Sequence, residues 1–318
     1  MSVKNGGLLS RLDVRPQVAE AVAEGRAVVA LETSLVTHGF AYPTNLEVVR
    51  SMWLAIQEGG AVPAIVGVLN GRVVVGLTLE EADELARRSD NLKITRANLS
   101  WALSQGRSGG TTVTVTMMAA EAAGILVFCT GGLGGVHRGA YGFSGSLNEA
   151  TLDVSADLEE LARTRVIVVC GGVKSILDVP KTLEYLETKG VPVITWGQTD
   201  FPGFWSASSG VRSPLSSNNL ADVIRLVRTH VQLGMPSGIV VGVPVPKEHE
   251  LPLVEAEAAV AIAVSEGAHV KGGDVTPWML QRVFQVTSGR SEETNKQELL
   301  NNARKSAIIA VALTHPRQ

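Results

Sequence analysis

The string Cys170-Gly171-Gly172-Val173-Lys174-Ser175 sets a lysine in a glycine-rich loop, where an amine can do chemistry. Residues 165–169 before it are a β-branched run bounded by glycine, the pattern of a buried strand. Residues 175–178 and then 180–190 after it read as helix, with Pro180 near a start and Gly190 at the stop. A lysine between a strand end and a helix N-terminus meets partial positive charge and desolvation, and both lower an ammonium pKa. A neutral amine held there can attack a carbonyl carbon as a Schiff-base nucleophile. The same loop equally suits a lysine that binds phosphate or pairs with an acid.

Other reactive side chains also sit at strand ends, where open α/β sheets bind ligands. Glu32 and His38 follow the apolar run 27–31, and Thr130-Gly-Gly-Leu-Gly-Gly-Val-His137-Arg138 follows the run ending at Cys129. The glycine run could present backbone N–H groups to a phosphate. It matches neither a P-loop nor a dinucleotide fingerprint, and a tight strand-to-helix turn explains it as well. Asp157 with Glu160 fits a capping box for a helix up to Arg163. Asp153 is not needed for that cap and could hold a divalent cation near His137. Glu32 alone could be a salt-bridged acid.

The elements that must position these residues alternate along the chain. Strand-like runs at 27–31, 64–69, 72–76, 124–129, 166–169, 191–195 and 238–243 are separated by helical patterns at 45–58, 112–121 and beyond. Asn70-Gly71 predicts a type I′ hairpin turn, and Thr78-Leu-Glu-Glu81 a capping box. The C-terminal part reads as helical, interrupted at Gly272-Gly273 and Gly289. This alternation predicts one α/β domain over residues 1–318, a three-layer α/β/α arrangement with a mixed, largely parallel sheet. Residues 1–14 read as a flexible N-terminus, and the Ser, Gly and Pro-rich stretch 203–219 as a lid or long surface loop.

A net charge of -3 gives no electrostatic footprint for nucleic acid. The longest apolar region, 113–129, contains Glu121, Gly124 and threonines, and reads as helix plus strand, not as a membrane span. The N-terminus lacks a signal-peptide core, and Cys129 and Cys170 read as buried free thiols without metal-site spacing. A cytoplasmic protein is the expectation.

Taken together, several strings resemble the pseudouridine-5'-phosphate glycosidase family, also called indigoidine-synthase-A-like. They are Val28-Val-Ala-Leu-Glu32-Thr with Thr37-His-Gly39, Gly59-Gly-Ala-Val-Pro63-Ala, Thr111-Thr-Val113, and Thr130 through Gly139. Thr116-Met117, Asp153-Val-Ser-Ala-Asp157-Leu, Val169 through Lys174 to Asp178, Thr276-Pro277, Asn295 and Asn301-Asn302-Ala303 complete the set. The resemblance implies a homotrimer with a manganese-type divalent ion. It implies cleavage or formation of the carbon–carbon bond between C1' of ribose 5-phosphate and a base carbon. By it, Lys174 matches the nucleophile, Glu32 the proton donor and Asp153 the metal-binding acid. Lys93, Val113 and the trio Ser155, Ala156 and Asp157 match substrate-contacting positions, and Asn295 an asparagine near the base. Thr112, Thr130 and His137 join the candidate substrate-binding set.

The chemistry needs these residue types because a C-glycoside has no heteroatom leaving group for two-carboxylate hydrolysis. A lysine imine supplies an electron sink instead. The chain departs from the family between the His-Arg-Gly loop and Asp153, where residues 140–152 are about eight residues longer, a cheap change thermodynamically. It departs again at 206–219, after Trp205. Both changes bear on the base acceptor, and a natural-product branch that joins ribose 5-phosphate to an aromatic polyketide is the alternative. A ribose-phosphate-binding protein without turnover is a third reading.

Overall fold

Along each central strand, alternate side chains enter opposite hydrophobic cores, and this fixes the layering. The computed structural model describes residues 8–141, 150–267, 270 and 275–315. The first strands are β1 (Leu12–Val14), β2 (Val28–Leu31), β3 (Val62–Leu69), β4 (Arg72–Val75), β5 (Leu92–Ile94), β6 (Gly109–Thr111) and β7 (Val127–Cys129). Then come β8 (Val136–His137), β9 (Ile167–Cys170), β10 (Leu177–Asp178), β11 (Val193–Trp196), β12 (Leu215–Ser217) and β13 (Ile239–Gly242). The helices start with α1 (Pro16–Ala23), α2 (Ser34–His38), α3 (Thr44–Glu58), α4 (Leu79–Arg87), α5 (Leu99–Ser104) and α6 (Val113–Ala122). They continue with α7 (Ala156–Leu161), α8 (Val179–Thr188), α9 (Leu220–Gln232), α10 (Leu253–Glu266), α11 (Val275–Val286) and α12 (Arg290–Thr314).

Eleven strands form one sheet, whose main path runs β1-β4-β3-β2-β7-β9-β13-β11-β12. The pairs β2–β7, β7–β9 and β9–β13 are parallel, while β3–β4 and β3–β6 are antiparallel. Val28 and Ala30 pack with Met117 of α6, Leu158 of α7 and Leu186 of α8 on one face. Val29 and Leu31 pack with Met52 of α3, Val227 of α9 and Ala303 of α12 on the other. The three-layer α/β/α expectation therefore holds, in a single domain with a mixed, largely parallel sheet. Strands buried on both faces need near-continuous apolar sequence, which is why 166–169 reads as it does.

The hairpin and the cap are as expected. Asn70 and Gly71 have φ of 49° and 74°, the pair of positive values a type I′ turn requires. Thr78 and Glu81 exchange both capping-box bonds. Among the described residues, no helix is long and apolar enough to cross a membrane. Both cysteines are buried and free, and burial pushes their thiols up.

Three expectations need correction. Leu12–Val14 is a strand paired in parallel with β4, so the chain is anchored well before residue 14; residues 1–7 lie outside the described residues. Residues 175–178 are not helical: Leu177–Asp178 is β10, antiparallel to β8. The helix starts only at Val179, because the Asp178 side chain accepts from the Lys181 N–H and caps it there. The stretch after Gly203 is not a surface loop at its start. Gly203, Phe204, Trp205 and Ser206 are buried, with the Phe204 N–H donating to Gly171 O at 2.9 Å. The glycines Gly272 and Gly273, and residues 142–149 of the longer segment, lie outside the described residues.

Removing the α4 cap tests the local argument. Thr78→Ala should lower the unfolding free energy by about 1 kcal/mol in urea titration and leave turnover unaltered.

Candidate active site

The sheet has a topological switch point between β2 and β7, since the chain leaves β2 toward β3 on one side and β7 toward β9 on the other. Leu31 pairs with Cys129, and Cys129 with Val169. Glu32, Thr130 and Cys170 therefore leave the sheet at one level. Beyond the sheet the two glycine loops go on pairing: Gly171 N donates to Gly131 O at 2.8 Å, Leu133 N to Gly172 O at 2.9 Å, and Lys174 N to Leu133 O at 3.1 Å. A cavity of about 730 Å³ opens there.

This pairing corrects the placement of Lys174. It stands five residues before α8, and continued strand-like pairing with the β7 loop holds it, not a helix N-terminus. Its stem passes over Gly132, where an added Cβ would come within 3.2 Å of Lys174 Cγ and 2.6 Å of the Phe204 ring. A side chain there would collide with the Phe204 ring and crowd the lysine stem. Glu32 is buried at the cavity floor, accepting hydrogen bonds from Ser34 Oγ and Thr130 Oγ1. Burial holds its carboxyl above the ordinary value, against the opposing pull of Lys174 and of the two hydroxyl donors. A carboxyl in that balance can keep a proton to give.

The second loop wall is zipped to the first. Ser155 N donates to Gly135 O at 3.0 Å, His137 N to Asp153 O at 3.0 Å, and Gly134 N to Asp157 Oδ2 at 2.8 Å. Asp157 is thus not the helix cap that its spacing to Glu160 suggested. Ser155 caps α7 by accepting from Asp157 N, and Glu160 instead pairs with Arg96 and Arg163. At the opposite end Lys93 of β5 and Thr112 and Val113, at the start of α6, face the cavity with His38. Burial and the Lys93 ammonium hold His38 below its ordinary value. His137 is also lowered by burial, with Asp153 opposing and Lys174 assisting.

Residues 17–312 match the family described as indigoidine synthase A like protein. The chain belongs to that family. A pseudouridine-5'-phosphate glycosidase of Mesorhizobium japonicum is 47% identical over 304 residues, covering 95% of this chain and 97% of the relative. One from Deinococcus radiodurans is 44% identical, covering 96% of each chain. Among solved structures, the prealnumycin C-glycosynthase AlnA in complex with ribulose 5-phosphate superposes with a TM-score of 0.86 at 34% identity, covering 95% of this chain and 97% of that one. An indigoidine synthase A-like protein from Thermotoga maritima gives 0.85 at 30% identity, covering 96% and 97%.

Of the candidate residues carried by the family resemblance, the fold brings Glu32, Lys93, Thr112, Val113, Thr130, His137, Ser155, Ala156, Asp157, Lys174 and Asn295 to this one cavity. Asp153 is not among its lining residues. Its side chain is 46% exposed, with Oδ2 3.6 Å from His137 Nδ1. Among the described residues no three His, Cys, Asp or Glu side chains converge on a metal position. One half-exposed carboxylate fits a hard ion that keeps most of its water, such as Mg²⁺ or Mn²⁺, and not a caged one.

Sequence reasoning did not find Phe204, Trp205, Leu280, Phe284 or Glu298 as part of this region. Leu280 and Phe284 lie on α11 and line the cavity, as do Phe40 and Trp205. Glu298 is the more telling omission. It follows Asn295 and precedes Asn302 on α12 at helical spacing, a polar stripe on a helix otherwise buried through Leu299, Ala303 and Ala307. That pattern was available in the sequence.

The corrected roles of Ser155 and Asp157 can be separated by stability. Asp157→Ala leaves the half-buried Gly134 N–H without its acceptor and should lower the unfolding free energy by about 1–2 kcal/mol. Ser155→Ala should lower it by about 1 kcal/mol, the loss of a cap. Guanidinium titration of both variants is the measurement.

Proposed function

We propose that this chain is a C-glycosidase that converts pseudouridine 5'-phosphate and water reversibly into uracil and ribose 5-phosphate. The observation that carries the reading is the meeting of a buried Glu32, its carboxyl held above the ordinary value, with Lys174 at the switch point, within a family whose relatives at 44–47% identity are named for that reaction. Lys93 and the N-terminal turn of α6 supply positive potential at one end of the cavity, suited to the sugar phosphate. Asn295, on α12, offers an amide that can both donate to and accept from the imide edge of a uracil.

In cleavage, Glu32 gives its proton to the ring oxygen of the ribose as the C1'–O bond opens. The neutral amine of Lys174 forms a bond to C1', and the Glu32 carboxylate left by the first step takes up the proton the nitrogen loses. The C1'–C5 bond then breaks, its electron pair going to the base carbon, which takes up a proton, while the nitrogen lone pair forms C=N. Water adds to the imine and releases ribose 5-phosphate and the free lysine. One hard step becomes several easier ones. Ser34 and Thr130 hold the Glu32 carboxyl in place through their hydroxyl bonds. Asp153 would hold a hydrated divalent ion, which would order water and charge beside the His137 wall.

A second reading, joining ribose 5-phosphate to an aromatic polyketide carbon, is favoured by one observation. Phe40, Leu280 and Phe284 among the lining residues offer flat rings apolar surface to pack on. The two readings differ in one assay. The glycosidase should release uracil from pseudouridine 5'-phosphate, and Asn295→Ala should impair that release. Borohydride added with ribose 5-phosphate should fix one reduced sugar phosphate on the peptide containing Lys174, and Lys174→Ala should abolish both signals. An inert pseudouridine 5'-phosphate with a trapped Lys174 adduct selects the polyketide reading. An adduct on Lys93 or Lys181 rejects both.

We also propose that the active protein is a cytoplasmic, metal-dependent homotrimer. Chelation should remove activity and Mn²⁺ restore it. Asp153→Ala should weaken Mn²⁺ binding in calorimetry at least tenfold, and far more than Asp157→Ala, whose carboxylate is engaged by Gly134.

A further inference from the structure

Glu298 is a fully buried acid that no step above uses. Its carboxyl lies against both glycine loops at once. A Cβ placed on Gly171 would fall 2.1 Å from Oε1, and one on Gly131 3.4 Å from Oε2. Oε2 has no hydrogen-bond partner, an anomaly for a buried carboxyl. Asn302, one turn further along α12, donates through Nδ2 to Thr130 O at 2.9 Å and also to Glu298 Oε1. One helix therefore grips the backbone at the end of β7, whose Thr130 holds Glu32, and the backbone at the end of β9, whose loop carries Lys174.

We propose that Glu298 is a positioning residue for the Glu32–Lys174 pair, its buried carboxyl and the Asn302 amide fixing the spacing of the two strand-end loops from α12. The proposal rests on the reading of those two residues as the reacting pair. Its protonation state supports it. Burial pushes the Glu298 carboxyl up to about 8, against the pull of the Asn302 amide, the Gly171 N–H and the Lys174 ammonium. At neutral pH the clamp is a neutral acid. The groups facing it are Lys174 from the β9 loop and the buried thiols of Cys129 on β7 and Cys170 on β9. Ionisation above about pH 8 would place a charge there that the Lys174 ammonium offsets but the buried thiols do not.

Two variants decide the matter, with uracil release followed from about pH 6 to about pH 9.5. Glu298→Ala should lower kcat about 100-fold with KM within about threefold, the cost of a misplaced reacting group. Glu298→Gln keeps the shape and is neutral at every pH. It should recover kcat to within about fivefold of the parent near pH 7 and lose the parent's decline above pH 8. Amide hydrogen exchange in the peptides spanning 130–134 and 171–175 should quicken in Glu298→Ala and return toward the parent rate in Glu298→Gln. Parental kcat in the alanine variant, equal impairment of both variants, or unaltered exchange in both would each overturn the proposal. If the alanine variant does not fold, the pH profile and exchange of Glu298→Gln decide it alone. Absence of a borohydride adduct in the parent strikes at the reading of Lys174 instead, and the exchange rates then judge the clamp without it.

Discussion

The parallel register of β2, β7 and β9 is the constraint on which the rest of the molecule depends. Three neighbouring strands end at one level, so three unrelated stretches of sequence deliver Glu32, Thr130 and the Lys174 loop to one place. Because side chains alternate along a strand, a slip of one residue in any of them would exchange the two cores and turn the reactive groups away. The apolar packing on both faces therefore holds more than the sheet. It holds the distance between an acid and an amine.

That placement also sets the electrostatics. Burial removes water from Glu32, Glu298 and both cysteines, and the same desolvation raises all four. Lys174 is the cation that opposes it at Glu32, Glu298 and Cys170. Hydroxyl donors from Ser34 and Thr130 temper the shift at Glu32, whereas Glu298 keeps one oxygen with no donor at all. Two carboxyls at similar depth thus receive different surroundings, the usual way a protein separates the tasks of like groups.

Much of this was legible in the chain. The β-branched runs, the Asn70-Gly71 turn and the Thr78–Glu81 cap are local signals with local physics, and the structure follows them. The site residues were legible mainly through the family strings, because spacing along a sequence says little about groups brought together by parallel crossovers. What misled was competition between local motifs. Residues 175–178 carry a helix-like pattern, but Asp178 caps a later start and Leu177 pairs with His137. Asp157 and Glu160 have capping-box spacing, but Gly134 offers Asp157 an N–H, and arginines claim Glu160. Leu12–Val14 is too short a strand to announce itself before its partner β4 is known.

The hydrogen bonds that assemble the cavity span great lengths of chain: Thr130 reaches Glu32 across 98 residues, and Asn302 reaches Thr130 across 172. Contacts of that separation form late, after loop-closure entropy has been overcome. No local segment of chain, in consequence, brings Glu32 and the Lys174 loop together. The cavity is complete only with α12 docked, since its Asn302 binds Thr130 O at the end of β7.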